Sequence, residues 1–484
     1  MPIVPFDTSM IAAISAELLL LLLAGVILAV DMIWGSKQKD HLGWITAGGL
    51  LFILLISLIF TRPEPVERLI FGGMLRQDWL TFTFRLIFLF AAAITSLLSI
   101  NLKGITGRGE YYALLVVTTL GMSLMAASAD LIMLYLAIET TSIPLYILAG
   151  FMKSDDKSTE SGIKYFLFGA LTSTVMLYGF SLLYGFSGET NLYLLSERLT
   201  GGEISIWVLG GAALLVLVGF SFKVSAVPFH FWSPDVYEGA PTPITAYIST
   251  ASKAAGFAVL VRVMITVFPE ISLYWTSILA VVATATMTVG NMVALAQKNI
   301  KRLLAYSSIA HAGYALIGLV AFSELGIASL LFYLAAYVVT NLAAFAIVVF
   351  FANTVGSDEI ADYAGLSRRS PGLAFAMLIA FLSLAGMPPL AGFVAKFYVF
   401  AAAVESGLIW LAFVGVLNAI IGLYYYMTVL KVVYLYRSDD DEVPIAVSRP
   451  AAIALGVSVI AVLGIGIASG PWLGWALDTA SSLF

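Results

Sequence analysis

Three lysines stand inside long apolar runs: Lys223 in VGFSFKVSAVPFHFW, Lys253 in ISTASKAAGFAVL and Lys396 in LAGMPPLAGFVAKFYVF. An acid is placed in the same way, Glu139 in LYLAIETTSIPLYILAGF, with Thr140, Thr141 and Ser142 directly after it. A charge at the centre of a bilayer costs at least about 2.5–3.5 kcal/mol, so such residues face a protein interior and mark ion or proton routes. The chemistry on offer is proton transfer. Burial disfavours a charged lysine, and a neighbouring carboxylate favours it. A unit pair at about 4 Å, in an effective dielectric of about 20, interacts by about 4 kcal/mol, or roughly three pKa units. Moving one charge through about 150–200 mV takes about 3.5–4.6 kcal/mol. The two sums are comparable, so making and breaking a Glu–Lys pair can switch a lysine between loading and releasing a proton.

The surrounding residues say how these groups are held. Pro228 has no N–H for the carbonyl of Val224, so the helix carrying Lys223 breaks one turn past it. His230 follows seven residues after Lys223, on nearly the same face if the helix resumes. Lys396 comes eight residues after Pro388. Irregular backbone at membrane depth lines a wet cavity, and a lysine beside one is a place where a proton can wait. Lys253 has Ser249, Ser252 and small residues around it, which permit close helix approach and supply hydroxyls. His311 shares a helix face with Ser307 and Tyr314. Four further basic residues, Arg85, Lys164, Arg262 and Lys431, also fall inside apolar runs. Arg85, Arg262 and Lys431 lie close enough to span ends to snorkel to the interface. Glu17 and Asp31 are expected to serve packing or partner contacts.

Lipid must be the solvent for most of this chain. Of 484 residues 61% are apolar and 11% charged, with mean hydropathy +1.00, against about a quarter charged in soluble proteins. There is no basic stripe for nucleic acid. Cysteine is absent, which excludes disulfides and thiolate chemistry, and His41, His230 and His311 are too scattered for a metal cluster. The opening MPIVPFDTSM has neither a basic n-region nor a cleavage site, so the first apolar run is expected to be retained. At about 20 apolar residues per crossing, the chain reads as an all-α polytopic membrane protein of about fourteen spans. They lie near 11–33, 42–60, 79–100, 111–128, 130–151, 161–186, 204–225, 242–268, 271–294, 302–322, 325–353, 370–400, 405–434 and 450–470. With the N-terminus outside, Lys37, Lys39, Lys103, Arg108, Lys153, Lys157, Lys298, Lys301, Arg302, Arg368, Arg369, Arg437 and Arg449 fall in inner loops. Arg62, Arg68, Arg76 and Arg198 fall in outer ones, the first three beside Glu64, Glu67 and Asp78. An even span count then puts both termini outside. The polar stretches 187–203, 354–369 and 437–449, with the acidic run Asp439–Glu442, are loop-sized.

The proline-broken spans are the seventh and the twelfth. A five-span offset inverts the second copy, giving a three-helix segment (1–110), a five-helix repeat (111–268), an inverted five-helix repeat (271–434) and a C-terminal helix (435–484). Interrupted helices in matching halves point to transport sites.

The residues are more specific than the pattern. FKVSAVPFHFWSPDVYEGAPTPITAYISTASKAAGFAVLVR, QKNIKRLLAYSSIAHAGYALIG and LAGMPPLAGFVAKFYVF resemble the signatures of the antiporter-like subunits of respiratory complex I. The form PFHFWSPDVYEGAP looks like the N type. The L and M types and their cation-antiporter relatives have Ala-His where Val236 and Tyr237 stand here. The resemblance implies proton translocation without redox chemistry in this chain, with flavin, iron–sulfur clusters and quinone held by partner subunits. It implies that Glu139 pairs with Lys223, that Lys253 connects, and that Lys396 serves the outward half-channel. His230, His311 and Lys164 lie along the supporting polar axis. Neighbouring M-type and small K-type subunits, and a bacterial cytoplasmic membrane, follow as expectations, with a photosynthetic membrane as the second candidate location. Two rival readings are an Mrp-type Na⁺/H⁺ antiporter subunit and a non-pumping structural subunit of a membrane arm. The first predicts sodium-dependent transport and more carboxylates at the broken helices.

Overall fold

A computed structural model describes residues 7, 9–35, 38–63, 68–199, 205–438, 443–445 and 447–484. Lys37, Glu64, Glu67 and the acidic run Asp439–Glu442 lie outside the described residues.

In lipid the backbone must satisfy its own hydrogen bonds, and the apolar runs accordingly form helices. From the N-terminus come α1 (Ser9–Ala13), α2 (Ser15–Ile33) and α3 (Leu42–Phe60). A small antiparallel hairpin follows, β1 (Arg68–Ile70) with β2 (Leu75–Gln77), Leu69 facing Arg76. Next are α4 (Trp79–Ser99), α5 (Gly109–Ala127), α6 (Leu131–Ala149), α7 (Asp156–Ser187), the short α8 (Leu192–Leu199) and α9 (Ile206–Val224). The stretch 187–203, expected as loop, thus contains a helix, because Leu192, Leu195 and Leu199 bury one stripe against the bundle.

After α9 a short α10 (Trp232–Gly239) leads into a crossing made of α11 (Thr242–Tyr247), a π-helical turn (Ile248–Ser252) and α12 (Lys253–Val267). Then α13 (Ser272–Ala294), α14 (Ile300–Val320) and α15 (Glu324–Val355) precede a short α16 (Leu366–Arg369). The half-length α17 (Pro371–Ala385) and α18 (Ala391–Glu405) follow, then α19 (Ile409–Leu435), α20 (Arg449–Ile467) and α21 (Ser469–Ser481). Among the described residues, 13 helical stretches are long and apolar enough to cross a membrane. Neither α17 nor α18, at 15 residues each, reaches across alone; together they make one further, broken crossing.

Helix starts follow their caps. Asp78 accepts from the Thr81 N–H at 2.8 Å, Asp130 from Ile132 and Met133, and Asn299 from Lys301 and Arg302. Asp130 makes the tight turn between α5 and α6 possible.

The helices sort by their surroundings. The α11–α12 crossing, α14 and α15 are buried on almost every side, whereas α2, α3, α7 and α19 bury less than half of theirs. Their outward positions are apolar, among them Leu22, Phe52, Leu171 and Phe413, a surface suited to lipid. Glycines allow the central helices to touch: a Cβ on Gly290 would lie 2.6 Å from Ala310 N, and one on Gly313 2.7 Å from Met287 N.

Two arginines expected to snorkel do not. Arg85 pairs with Glu17 at 2.7 Å, and Ser123 donates to the same carboxylate at 2.5 Å. Arg262 grips Asp78 through two N–H groups at 2.8 and 3.0 Å, with Arg76 Nε 3.2 Å away. All these side chains are buried, and inward pairing beats the interface because partners on neighbouring elements are closer than the headgroups. Burial pushes the Asp78 carboxyl up, but Arg262 and Arg76 outweigh it and hold it lowered from 3.8 to about 2. The first and last described helices, α1 and α21, meet this end of the bundle. Met10 packs with Ile70 and Leu75, and Arg76 donates to the Ser482 carbonyl at 3.2 Å. Lys39, Lys157 and Arg302 gather at the opposite end, in ion pairs with Asp31 and Glu238.

Candidate proton pathway

The two breaks are built alike. α9 ends at Val224 with Ser225 in the left-handed region, followed by a cis Val227–Pro228 bond. α17 ends at Ala385 with Gly386 left-handed, followed by a cis Pro388–Pro389 bond. At the first break the chain does not resume its axis. His230 sits in the turn before α10, so it is not on an extension of the Lys223 face. Trp232 anchors that turn: its indole N–H donates to the Phe222 carbonyl at 3.2 Å and its ring stacks on Tyr165 at 4.4 Å. Ser225 Oγ, His230 Nδ1 and Ser233 Oγ are buried without a hydrogen-bond partner among the described residues.

Lys223 is buried near the end of α9, where a Cβ on Gly256 of α12 would lie 3.1 Å from its own Cβ. Its amine donates to Ser142 Oγ at 2.5 Å. Glu139, half-buried one helical turn earlier on α6, accepts from Ser173 Oγ of α7. The expected Glu139–Lys223 ion pair is not closed in this conformation. Ser142 stands at i+3 from Glu139 and takes the lysine instead.

Lys253, at the end of the π turn, donates to Ser308 Oγ of α14 at 2.5 Å and lies 5.7 Å from the Tyr237 ring centroid. One turn along α14, His311 is held at both ring nitrogens, Nδ1 to Tyr333 Oη at 2.6 Å and Nε2 to Tyr426 Oη at 3.3 Å. Tyr426 also shares a hydrogen bond with Ser307. Lys396 is reached next. Its amine lies 4.9 Å from the Tyr314 ring centroid and donates to the carbonyls of Leu384 and Ala385 at 2.9 and 3.0 Å. Those are carbonyls left free where α17 stops, so the break itself supplies the lysine's partners. α14 therefore forms a spine, with Ser308 on Lys253, His311 in the middle and Tyr314 over Lys396.

Lys164 lies apart from this row. It pairs with Asp235 of α10 at 2.5 Å and with Glu160 at 2.7 Å, while Arg302 bridges Asp235 and Glu238 at 2.9 Å each. Partial burial raises both α10 carboxyls, but Lys164, Arg302 and, at Glu238, Lys157 hold them below their ordinary values. This network ties α10 to α7 and α14 at the end opposite the 68–77 hairpin.

Ser142, Ser308, Tyr333 and Tyr426 are the groups that sequence reasoning missed. Hydroxyls are common in membrane helices, and only the packing of α6 on α9 and α14 on α12 singles these out.

Comparison with known proteins follows the same lines. The family model for the membrane part of NADH:quinone oxidoreductase/Mrp antiporter proteins matches residues 128–422. The NADH-quinone oxidoreductase subunit N of Moorella thermoacetica is 43% identical over 474 residues, 97% of this chain and 98% of its own. The chain belongs to the subunit N family. The Heliobacterium modesticaldum member is also 43% identical, over 97% of this chain and 99% of its own. Among solved structures, a chain of respiratory complex I from Thermus thermophilus with bound aureothin matches with TM-score 0.80 at 33% identity, covering 95% of this chain and 98% of that one. A chain of the Mrp complex from Dietzia shares the fold, with TM-score 0.84 at 21% identity. The subunit N match spans 222–262 and 384–400, where Lys223, Lys253 and Lys396 stand.

Proposed function

We propose that this chain carries protons across the bilayer as the N-type membrane subunit of a proton-pumping NADH:quinone oxidoreductase. The observation that carries the reading is the set of three buried lysines, each held by neutral oxygen groups, with Lys253 and Lys396 on either side of His311 along α14 and Lys223 packed against α12. Such amines can gain or lose a proton without breaking a buried salt bridge, which would cost about 3–5 kcal/mol. Glu139 switches the row: turning from Ser173 to Lys223 closes the ion pair that now stands open. The unpartnered Ser225, His230 and Ser233 atoms support water at the first break, since buried polar groups of this kind take ordered water.

Flavin, iron–sulfur clusters and quinone belong to partner subunits in this reading, and the drive reaches this chain from an M-type neighbour and a small K-type neighbour. Residues 111–268 and 271–434 act as inverted five-helix units, a division supported by the matching left-handed ends of α9 and α17, each followed by proline. The membrane is the bacterial cytoplasmic one. Both termini face outside, a placement supported by the basic residues gathered at the other end.

Lys223→Ala in the assembled complex tests the reading, with quinone reduction and acidification of the outer medium measured together. The expected result is loss of acidification per electron transferred. Unchanged electron transfer together with unchanged acidification overturns the proposal.

A further inference from the structure

Arg62 has no role in the proton row, and its position needs a reason. It sits in the loop after α3, at the same end of the bundle as the 68–77 hairpin. It is exposed, its guanidinium stands 5.3 Å from the Trp79 ring centroid, and it makes no ion pair among the described residues. A cavity of about 410 Å³ opens beside it, lined also by Trp79, Phe82, Trp475 and Asp478. Asp478 of α21 is exposed and likewise makes no ion pair among the described residues. One cation and one anion thus border the same cavity without closing on each other.

A second cavity, of about 120 Å³, lies deeper along the same face of α4. Thr83, Leu86 and Ile87 line it from α4, Phe332 from α15, Ile465 from α20 and Trp475 from α21. Trp475 borders both cavities. Its indole N–H is already donated to Thr83 Oγ1 at 2.8 Å, and Thr83 shares a second hydrogen bond with Thr479 at 3.2 Å. The polar atoms of Thr83 and Trp475 are thus already paired, and an apolar cavity of about 150 Å³ is known to stay dry and accept a small hydrocarbon. The aromatic wall of the outer cavity, which Trp475 shares with the slot, is well packed: Phe82 and Trp475 stack at 5.8 Å and 4°, with Trp79 edge-on to both.

We propose that this groove binds one phospholipid with a primary-amine headgroup, of the phosphatidylethanolamine class. The phosphate docks on Arg62, the ammonium on Asp478, and one acyl segment enters the slot between α4, α15 and α20. Arginine is the residue suited to a phosphate, and three N–H donors of a primary ammonium suit a carboxylate. An anionic headgroup would meet Asp478 uncompensated, and a quaternary amine has no hydrogen to donate there. Tryptophans at the water boundary place the headgroup at the correct depth. This site is independent of the proton row and stands or falls without it.

The test uses the assembled complex in lipid nanodiscs containing a phosphatidylethanolamine with a photoactivatable acyl chain. Cross-linked peptides are mapped and counted per assembled complex. Labelling is expected within 79–87 and 471–479, displaced by unlabelled phosphatidylethanolamine but not by equal phosphatidylglycerol or phosphatidylcholine. Arg62→Glu is expected to lower it about fivefold, the equivalent of about 1 kcal/mol for a basic residue at the headgroup level. Ile87→Trp fills the slot while leaving both charges, and is expected to lower it comparably. Equal labelling by all three lipid classes would mean bulk lipid only. Labelling of a neighbouring protein at these peptides would mean that a subunit covers the groove. Either result overturns the proposal, as does labelling that neither variant changes.

Discussion

Replacing Asp78 by asparagine leaves the shape of the Arg262 site and removes its charge. In the parent, one buried carboxylate faces Arg262 through two bonds of 2.8 and 3.0 Å and Arg76 at 3.2 Å. A lowering from 3.8 to about 2, at 1.36 kcal/mol per unit, corresponds to about 2 kcal/mol of folding stability. The folded value is depressed, so this contribution is complete above pH 3.8 and is lost as pH falls through about 2. The substitution also removes the carboxylate that Arg262 grips in a buried pair, and breaking such a pair typically costs about 3–5 kcal/mol. The expected loss is therefore about 2–5 kcal/mol. Denaturant titration of the detergent-purified complex, followed by release of this chain, measures it. Acidification per electron in the surviving complex should be unchanged, because Asp78 is remote from the lysine row. The pair of changes Asp78→Leu with Arg262→Met should recover part of the loss. A single-variant loss below about 0.5 kcal/mol, the level of an ordinary surface substitution, refutes the reasoning.

Two further outcomes are expected. Ser308→Ala removes the hydroxyl hydrogen-bonded to Lys253 and should slow proton transfer by about tenfold or more, since a hydrogen bond to a charged group contributes about 1.5–3 kcal/mol; Ser308→Thr should restore most of it. Acid should loosen α10: with Asp235 and Glu238 both held below 3.8 and 4.5, the network is intact above pH 4.5 and is lost as pH falls below 3.8. Amide exchange over residues 232–239, corrected for its intrinsic pH dependence, should then accelerate only in that acid window.

Crossings, breaks and lysines were legible because each rests on a local rule. A run of apolar residues must be helical in lipid, a proline must end a hydrogen-bond ladder, and a buried lysine must find oxygen. Lys396 shows all three acting together, since the helix broken at Pro388 and Pro389 yields the carbonyls that receive it. What the sequence hid depends on which helices touch. Nothing in the spacing says that Ser142 rather than Glu139 meets Lys223, because a turn of α6 separates them and only the seating of α9 decides. Arg85 and Arg262 were misjudged for the same reason: their partners, Glu17 and Asp78, are 68 and 184 residues away. The hairpin 68–77 and the helix 192–199 escaped notice because both are short and lean on the bundle.

The hydroxyl partners along the row have a consequence for timing. An O–H group points one way at a time, donating to one neighbour while accepting from the other. His311 has the same property, carrying its hydrogen on Nδ1 facing Tyr333 or on Nε2 facing Tyr426 when neutral. When a proton hops along such a file, each member hands on one hydrogen and takes another, and the whole file is left reversed. A second proton cannot follow in the same direction until every hydroxyl has swung back and the imidazole has changed tautomer. In the proposed pathway each turnover would then have two strokes, a hop and a reset, and the nitrogen that bears the hydrogen in His311 would record which stroke comes next.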